Sequence, residues 1–409
     1  MKQDTLLTKH LVYILILAAI LRIVWMLWIP VVPVSDSVMY HEFAKSISEG
    51  KGYAYPAGNL TAYWPVGTPA IYGSLYALFG QHYEVIAIFN VFVGILTTLF
   101  IILLAQQWFS ARTAAIAGLI YALWPSQIHY TTILASELLF NLFMIIGLFC
   151  WYRFQNKPVL SVLTATLFFV CAAYVRPIAL LLPFILLALH FLNHADWKRL
   201  FTSSMLVAIT MAVLISPWAV RNYHLFGEPV LISTNGGPVL WMGNNPASSG
   251  EYMPLPDIHF DSEVERANYF KEKALEHIKQ EPMLFLKRAG KRFVDYFRSE
   301  NIGVNWNIEG IKQKGAESLV LPMKLLSTIY WLSLVGLSVY AIGNLIKKNG
   351  FWQASISTPI FALLGYFIVL HIIIASGDRY HFPIIPLIAL LSATSIQAAY
   401  EKLKERKQT

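Results

Sequence analysis

Residues 84–105 read EVIAIFNVFVGILTTLFIILLA, an almost unbroken apolar run in a chain of 409 residues. A helix needs roughly 20 apolar residues to cross the ~30 Å hydrocarbon core of a bilayer. Further runs of the same character predict nine more spanning helices. These runs lie at residues 11–30, 113–131, 137–155, 159–175, 177–193, 201–219, 321–345, 354–374 and 382–399.

The composition agrees with this pattern. Hydrophobic residues make up 56% of the chain and charged residues only 13%, against about 25% charged residues in soluble proteins. The net charge of +8 is explained by basic cytoplasmic loops, so we expect no nucleic-acid partner. The sequence therefore predicts an all-α polytopic membrane protein, surrounded by membrane lipids, with about ten (range nine to thirteen) transmembrane helices.

The first apolar run predicts a retained helix, because it is long enough to span and lacks the small-residue cleavage site of a signal peptide. Cys150 and Cys171 both lie in apolar runs, which argues against a disulfide framework.

Basic residues in alternate short connections predict the orientation of the helices in a plasma membrane. With ten crossings they lie on the cytoplasmic side together with both termini, and only the tight connection at Arg176–Pro177 leaves the topology between the fourth and seventh helices open. The basic residues are Lys2, Lys9, Arg112, Arg153, Lys157, Lys198, Arg199, Lys347 and Lys348.

Two long segments then fall on the extracytoplasmic side. We predict an N-terminal transmembrane module at residues 1–220, which carries a first outer loop at 33–83. A small α-rich extracytoplasmic domain follows at 221–319, and C-terminal transmembrane helices at 320–409. Within the domain, residues 262–298 predict one or two amphipathic helices that pack on the membrane or on the helix bundle.

Asp36 lies where the chain leaves the first predicted helix. Behind it, Tyr40, Phe43, Ala44 and Ile47 recur at helical spacing, which predicts a short amphipathic helix at the interface. A Gly-, Pro- and aromatic-rich loop follows, with residues 63–72 reading YWPVGTPAIY. On these residues alone, Asp36 is equally a helix cap.

Ionisable groups at membrane depth are costly and indicate a partner or a function. Glu137 follows Ser136 at the predicted start of a helix, where a carboxylate also suits the helix dipole. Arg176 and Arg379 carry the planar fork that matches phosphate oxygens. Their alternatives are an intramembrane ion pair for Arg176 and interfacial snorkelling for Arg379.

These features together resemble the lipid-phosphate-dependent glycosyltransferases of the GT-C fold, and most nearly the protein mannosyltransferase and aminoarabinose transferase group, glycosyltransferase family 39. The resemblance lies in the Asp after the first helix, the juxtamembrane helix that ends in Gly, and the Pro-x-Gly-x-Pro-x-x-Tyr loop. The strings WAVRNY (218–223), STNGG (233–237), GNNP (243–246) and RYHFPIIP (379–386) are similar to family members as well. The first loop departs from the family in having one Asp rather than an Asp-Glu pair.

The resemblance implies roles for particular residues. Asp36 is the expected catalytic base, Glu137 a second catalytic acidic group, and Arg379, with Arg176 in reserve, the expected holder of the lipid-linked phosphate. Further expected substrate-binding residues are His129, Tyr40, Tyr63, Trp64, Tyr380, Asn235 and Asn244.

Asp36, Glu137 and His129 would together suit Mg²⁺ or Mn²⁺. The sequence has no ligand-spacing motif, so a metal-free site stays an alternative. There is no Gly-rich phosphate loop and no Asp-x-Asp motif, and no nucleotide cofactor is expected.

The expected function is inverting transfer of a sugar from a polyprenyl-phosphate carrier to an acceptor hydroxyl of a cell-envelope glycan, lipid or protein, on the extracytoplasmic face. Alternatives are a transporter or flippase of a lipid-linked or small substrate, and a polysaccharide polymerase. A transporter is less consistent with a chain that shows no inverted repeat.

Overall fold

The computed structural model describes residues 2–250 and 252–407 of the chain. Within these residues the backbone is helical almost throughout, and one isolated antiparallel bridge joins Ala54 to Leu60. The N-terminal half forms α1 (Lys2–Trp28), α2 (Asp36–Ser48), α3 (Gly67–Phe79), α4 (Tyr83–Trp108), α5 (Ala111–Leu123), α6 (Pro125–His129), α7 (Glu137–Arg153), α8 (Pro158–Val175), α9 (Leu182–His194) and α10 (Trp197–Phe226).

The C-terminal half continues the same pattern. Short 3₁₀ turns lie at Tyr130–Thr132, Pro177–Leu181, Glu317–Leu319 and Phe382–Ile384. The α-helices are α11 (Gly236–Gly243), α12 (Glu263–Gln280), α13 (Pro282–Arg298), α14 (Ile302–Asn305), α15 (Ile308–Gln313), α16 (Val320–Asn349), α17 (Phe351–Ser357), α18 (Pro359–Ile373) and α19 (Ile385–Arg406).

Each of the ten predicted apolar runs coincides with a helix or with a pair of helices, and the all-α membrane fold class is confirmed. In the described part of the chain, seven helical segments are long and apolar enough to cross a membrane, and two shorter apolar helices are Ala111–Leu123 and Pro359–Ile373. The seven are His10–Trp28, Tyr83–Trp108, Pro158–Val175, Pro177–His194, Trp197–Phe226, Glu317–Asn349 and Phe382–Arg406.

Two predicted helices are interrupted in the structure. The run at 113–131 breaks at Trp124, and the run at 354–374 breaks at Thr358. Both residues precede a proline and have extended backbone, with ψ of 115° and 136°. The proline ring disfavours helical backbone in the preceding residue, and periodicity alone does not show this break.

The connection at Arg176–Pro177 is a true reversal of the chain. Helix α8 ends at Val175, and Arg176 has extended backbone before Pro177. Pro158 at the start of α8 and His194 at the end of α9 line the same cavity, so the two helices run antiparallel. The reversal places Arg176 at the opposite end of the bundle from that cavity.

Helices α7 and α19 form the centre of the helix bundle. Most residues of α7 are buried between α4 and α8, and α19 packs between α5 and α16. A helix that is apolar on all sides belongs in such a position. Because α7 begins at Glu137 and α19 follows Arg379, the N-terminal ends of the two central helices bring these two ionisable residues into the same region.

The segment that follows α10 is fastened to the bundle by a buried arginine. Arg292 of α13 is fully buried, and its guanidinium donates to the carbonyl oxygens of Gly243 at 2.6 Å and Ile372 at 2.5 Å. It also donates to Oδ1 of Asn244 at 3.2 Å. These bonds join α11, α13 and the end of α18.

Candidate active site

Four ionisable side chains meet at the neighbouring ends of four helices, and we call Asp36, Glu137, Arg176 and Arg379 the charged cluster. Arg379 Nε donates to Glu137 Oε1 at 2.5 Å, and its Nη1 donates to Asp36 Oδ2. Arg176 Nη2 donates to the same Glu137 oxygen at 2.6 Å. Four residues that are far apart in the sequence therefore converge in one place.

Local backbone explains why each side chain points into the cluster. Asp36 is the first residue of α2 and follows Ser35, which has a positive φ of 51°. Ser35 makes no side-chain cap, and the carboxylate of Asp36 contacts Arg379 instead. The capping role that a Ser-Asp-Ser sequence suggests is therefore not the one that the structure shows.

Pro177 and the start of α7 fix the positions of Arg176 and Glu137. Arg176 Nε donates to Ser136 Oγ at 3.0 Å, directly before Glu137 at the first turn of α7. Glu137 has no exposed side-chain surface, whereas 29% of the Asp36 side chain is exposed. One carboxylate of the cluster is thus sealed between two arginines, and the other is open to solvent.

The guanidinium of Arg379 contacts an aromatic ring as well as the two carboxylates. Its guanidinium lies 4.8 Å from the centre of the Trp306 ring, a distance at which the ring face stabilises a cation. Burial would lower the pKa of Arg379, but Glu137 and Asp36 raise it well above its usual value. The arginine therefore stays charged in the site.

A second buried set of contacts fixes the loop that carries Arg379. Asp378 Oδ2 accepts from the backbone N–H of Asn301 at 2.8 Å. His381 stacks on Trp331 with ring centres 4.1 Å apart, and its Nε2 lies 3.6 Å from Glu300 Oε1. Both His381 and Glu300 are fully buried.

Glu300 contacts several residues of this buried set. Its carboxylate accepts from Trp124 Nε1 at 2.9 Å and from Ser126 Oγ at 2.7 Å. His381 Nδ1 faces the carbonyl oxygen of Tyr296 at 2.9 Å, which assigns the proton to Nδ1 and leaves Nε2 facing the carboxylate. His381 Nε2 is 3.6 Å from Glu300 Oε1, which is beyond hydrogen-bond distance, and it has no hydrogen-bond partner among the described residues.

Sequence reasoning missed Glu300, Asp378 and His381 as parts of the site. Glu300 lies in a polar stretch that follows an amphipathic helix, and no spacing marks it as buried. His381 stands in the RYHFPIIP string, which was the one available signal for it.

Aromatic residues of the first outer loop border the charged cluster. Tyr40 lies one turn after Asp36, and its ring centre is 5.4 Å from that of Trp64. Burial raises the pKa of Tyr40 to about 12 and that of Tyr63 to about 12. Tyr380, on the other side, lies next to Arg379 in sequence and packs against His371 at 5.4 Å.

Two residues of the outer segment position that loop. Glu263 accepts from Thr61 Oγ1 at 2.5 Å and from the N–H of Ala62 at 3.0 Å. Arg221 Nη1 donates to the carbonyl oxygen of Thr61 at 2.7 Å. The loop with Tyr63 and Trp64 is therefore tied to α10 and α12 by charged side chains.

The predicted metal site is not formed. His129 packs against Trp25 with ring centres 4.5 Å apart, its Nδ1 has no hydrogen-bond partner among the described residues, and burial lowers its pKa to about 4. Across residues 2–250 and 252–407, no three His, Cys, Asp or Glu side chains are placed to hold a metal ion. The Arg379 guanidinium bridges Asp36 and Glu137 instead, so these residues do not fit a divalent cation.

The two predicted asparagines make hydrogen bonds within the protein. Asn244 is buried, and its Nδ2 donates to the carbonyl oxygens of Leu240, Ile373 and Ile374 while its Oδ1 accepts from Arg292. These contacts hold the Asn244 amide within the protein, and sugar binding by Asn244 stays a prediction. Asn235 lies at the start of α11 and accepts from Ser233 Oγ at 3.0 Å.

Comparison with protein-family profiles gives a match over part of the chain. The profile of the dolichyl-phosphate-mannose-protein mannosyltransferase family matches residues 64–220. A search of curated protein sequences gives no match.

Solved structures are similar over nearly the whole chain. The archaeal oligosaccharyltransferase AglB from Archaeoglobus fulgidus, in complex with an inhibitory peptide and a dolichol-phosphate, superposes with a TM-score of 0.61 at 13% identity, over 99% of this chain and 52% of that one. ArnT from Cupriavidus metallidurans, bound to undecaprenyl phosphate, gives 0.59 at 16% identity, over 95% of this chain and 60% of that one.

The Archaeoglobus fulgidus oligosaccharyltransferase in complex with Zn and sulfate gives 0.59 at 14% identity, over 96% of this chain and 50% of that one. This chain thus spans between half and three fifths of the length of these proteins. The resemblance predicted from the sequence is confirmed: the chain has the GT-C fold of membrane glycosyltransferases.

Proposed function

We propose that this chain is an inverting glycosyltransferase that moves a sugar from a polyprenyl-phosphate carrier to an acceptor hydroxyl. The observation that carries the proposal is Arg379 held between a buried and an exposed carboxylate. This arrangement supplies a cation for a phosphate leaving group and, next to it, a base for a hydroxyl. The orientation predicted from loop charges puts the reaction on the extracytoplasmic face.

The donor phosphate would bind by exchanging partners with Asp36. Arginine forks pair with phosphate oxygens through two parallel hydrogen bonds. Arg379 Nη1 is shared with the exposed Asp36, while Nε is shared with the buried Glu137. A phosphate that takes Nη1 releases Asp36 and leaves the bond to Glu137 in place.

The two carboxylates then have different roles. Glu137 is buried and accepts from both arginines through Oε1, so it orients the cations and is closed to a substrate. Asp36 Oδ1 makes no hydrogen bond within the described residues, and its side chain is partly open to solvent. Asp36 is therefore the proposed catalytic base, and Glu137 is a positioning residue rather than a second proton acceptor.

The reaction balances without a further reactant. The acceptor oxygen forms a bond to the anomeric carbon, and the bond from that carbon to the phosphate oxygen breaks. The acceptor proton passes to Asp36, and the polyprenyl phosphate leaves as an anion that Arg379 stabilises. Charge stabilisation of this kind is worth several kcal/mol in a water-poor site. Attack opposite the leaving phosphate inverts the anomeric centre.

Partly exposed aromatic residues near the charged cluster supply a surface for the sugar. Trp64 is one of them, and it packs on the buried Tyr40 with the two rings tilted by 36° to each other. Tyr63 is capped by Arg266, whose guanidinium carbon is 5.1 Å from the ring centre. Aromatic faces of this kind pack against the apolar face of a sugar ring.

Two comparisons support the donor class. The AglB structure contains a dolichol-phosphate and the ArnT structure undecaprenyl phosphate, and both proteins share the fold of this chain. The predicted division into a module at 1–220, an outer domain at 221–319 and C-terminal helices at 320–409 is part of the same proposal.

The test is transfer activity of the purified full-length chain in detergent with polyprenyl-phosphate sugars. We expect Asp36→Asn to lose at least 100-fold in kcat, since general-base catalysis contributes typically 10²–10⁴-fold, and to keep donor binding. Asp257→Asn, which changes an exposed outer carboxylate, is the matched control and should keep full activity. Full transfer by Asp36→Asn refutes the base assignment. Wild-type protein that consumes no lipid-linked sugar but moves it across liposomes refutes the transferase proposal.

A further inference from the structure

A cavity of about 480 Å³ lies at the end of the bundle that is opposite the charged cluster. Its lining comes from the end of α7, the start of α8, the end of α9, the start of α10 and the junction of α17 with α18. We call it the distal cavity. Glu137 and Trp151 are fourteen residues apart on α7, so the cavity lies about 21 Å from the charged cluster along the helix.

One wall of the distal cavity is basic. It contains Arg199, His190 and His194. Arg199 uses one hydrogen bond, from Nη2 to the carbonyl oxygen of Gln155 at 3.4 Å. The rings of His190 and His194 stack at 4.4 Å.

No Asp or Glu side chain is among the described residues that line the distal cavity. Asp196 is the nearest carboxylate in sequence, and its Oδ1 accepts from the backbone N–H of Arg199 at 3.0 Å as the cap of α10. The guanidinium of Arg199 therefore has free donors toward a cavity without a countercharge. Such an arrangement is complementary to an anion.

Another part of the lining is apolar, and we call it the apolar wall. Trp151, Leu186 and Leu187 contribute to it. Trp197 of α10 and Trp352 of α17, two helices that also carry lining residues, are 69% and 64% exposed. Exposed tryptophans mark the boundary between hydrocarbon and water. The occupant of the cavity is thus expected at the level of lipid headgroups, with apolar substance on one side.

We propose that the distal cavity binds the phosphate headgroup of an anionic membrane lipid, with Arg199 as the main phosphate contact. The two histidines and Asn193 border the headgroup, and the lipid chain follows the apolar wall toward the bilayer. This site is separate from the proposed transfer reaction and does not depend on it.

The test is lipid binding to the purified full-length chain in a neutral detergent, measured by native mass spectrometry and by thermal shift. The probes are dioleoyl phosphatidylglycerol, dioleoyl phosphatidylcholine and inorganic phosphate. We expect phosphatidylglycerol to bind at least tenfold more tightly than phosphatidylcholine. Loss of one charge-assisted contact predicts that Arg199→Ala weakens phosphatidylglycerol binding about tenfold or more.

Lys198→Ala is the matched control, because Lys198 is a neighbouring exposed cation that does not line the cavity. It should bind the lipid as the wild type does. Arg199→Lys, which keeps the charge, should bind with an intermediate affinity and covers the case in which Arg199→Ala fails to fold.

Three outcomes overturn the proposal. They are equal binding of both lipids, an Arg199→Ala variant that binds like the wild type, and equal losses in Lys198→Ala and Arg199→Ala. Inorganic phosphate that binds as tightly as phosphatidylglycerol assigns the site to free phosphate and refutes the role of the apolar wall.

Discussion

The two ends of helix α7 lie at two sites that differ in whether their cationic side chains are paired with carboxylates. At its start, two guanidiniums and two carboxylates contact one another in the charged cluster. At its end, Arg199 and two histidines face the distal cavity, whose described lining contains no carboxylate. The positive charges of the first site are paired with carboxylates without any ligand, whereas the guanidinium of Arg199 in the second site is not.

This difference separates two kinds of anion site. A ligand of the charged cluster must replace Asp36 on Arg379, so it needs oxygens that match the same fork and it frees a base as it binds. A ligand of the distal cavity displaces no side chain and frees none. Exchange of partners suits a reaction, whereas an unpaired cation suits static binding.

The largest expected effect comes from removing the charge of the buried carboxylate. Glu137→Gln leaves Arg176 and Arg379 without their shared anion, and breaking a buried ion pair costs about 3–5 kcal/mol. We expect a lower unfolding temperature in detergent. The control is Glu309→Gln, which removes an exposed pair with Lys312 at 2.8 Å and should cost under about 1 kcal/mol. Equal stability of the two variants would contradict the role given to Glu137.

The second prediction concerns the shape of the cation rather than its charge. Arg379 uses two different nitrogens for Glu137 and Asp36, and a lysine ammonium cannot reproduce that fork. Arg379→Lys should fold but lose about 100-fold in transfer, the equivalent of about 2.7 kcal/mol in charge-assisted hydrogen bonds. Arg199→Lys should lose far less of its lipid binding. Transfer by Arg379→Lys within threefold of wild type would remove the contrast between the sites.

A third prediction tests how Arg379 is positioned. Glu300→Ala leaves Trp124 Nε1 and Ser126 Oγ without their acceptor in a buried space, whereas the side-chain oxygen of Glu300→Gln can still accept from both. We expect Glu300→Ala to raise the KM for the lipid donor about tenfold.

Glu300→Gln should keep a KM near that of the wild type, because its side-chain oxygen still accepts from Trp124 and Ser126. If the KM of the alanine variant equals that of the glutamine variant, Glu300 has no part in holding the Arg379 loop.

Much of the fold and of the charged cluster could be predicted from the sequence. Apolar runs locate the helices, and the costs of ionisable groups at membrane depth single out Asp36, Glu137, Arg176 and Arg379. Helix counting puts Asp36, Glu137 and Arg379 at the same end of the predicted bundle, whereas Arg176 lies in the connection whose topology the sequence left open. The pairing of these side chains could not be predicted, since periodicity does not tell which side chain takes which oxygen.

The contacts of two predicted site residues and of one missed residue could not be read from the sequence. His129 and Asn244 are polar residues near the site in sequence, but each is buried among partners supplied by distant segments: Trp25 for His129, and Arg292 for Asn244. Glu300 was missed for the converse reason, because its neighbours in sequence are polar while its contacts are Trp124 and His381. Burial of single polar residues depends on long-range packing, which a sequence pattern does not carry.

The smallest expected effect is also the most general test of the comparison. The screening length of salt falls from about 10 Å at 0.1 M to about 3 Å at 1 M. An unpaired cation at a membrane surface is sensitive to that change, whereas hydrogen-bonded ion pairs in a buried cluster are screened much less. We therefore expect 1 M NaCl to weaken phosphatidylglycerol binding to the distal cavity about threefold, with the KM for the lipid-linked donor unchanged within error. Both constants are to be measured on the same purified sample at the two salt concentrations. If the donor KM rises with salt as steeply as lipid binding weakens, Arg379 is not protected by its partners, and the two ends of α7 do not differ in the way that their contacts indicate.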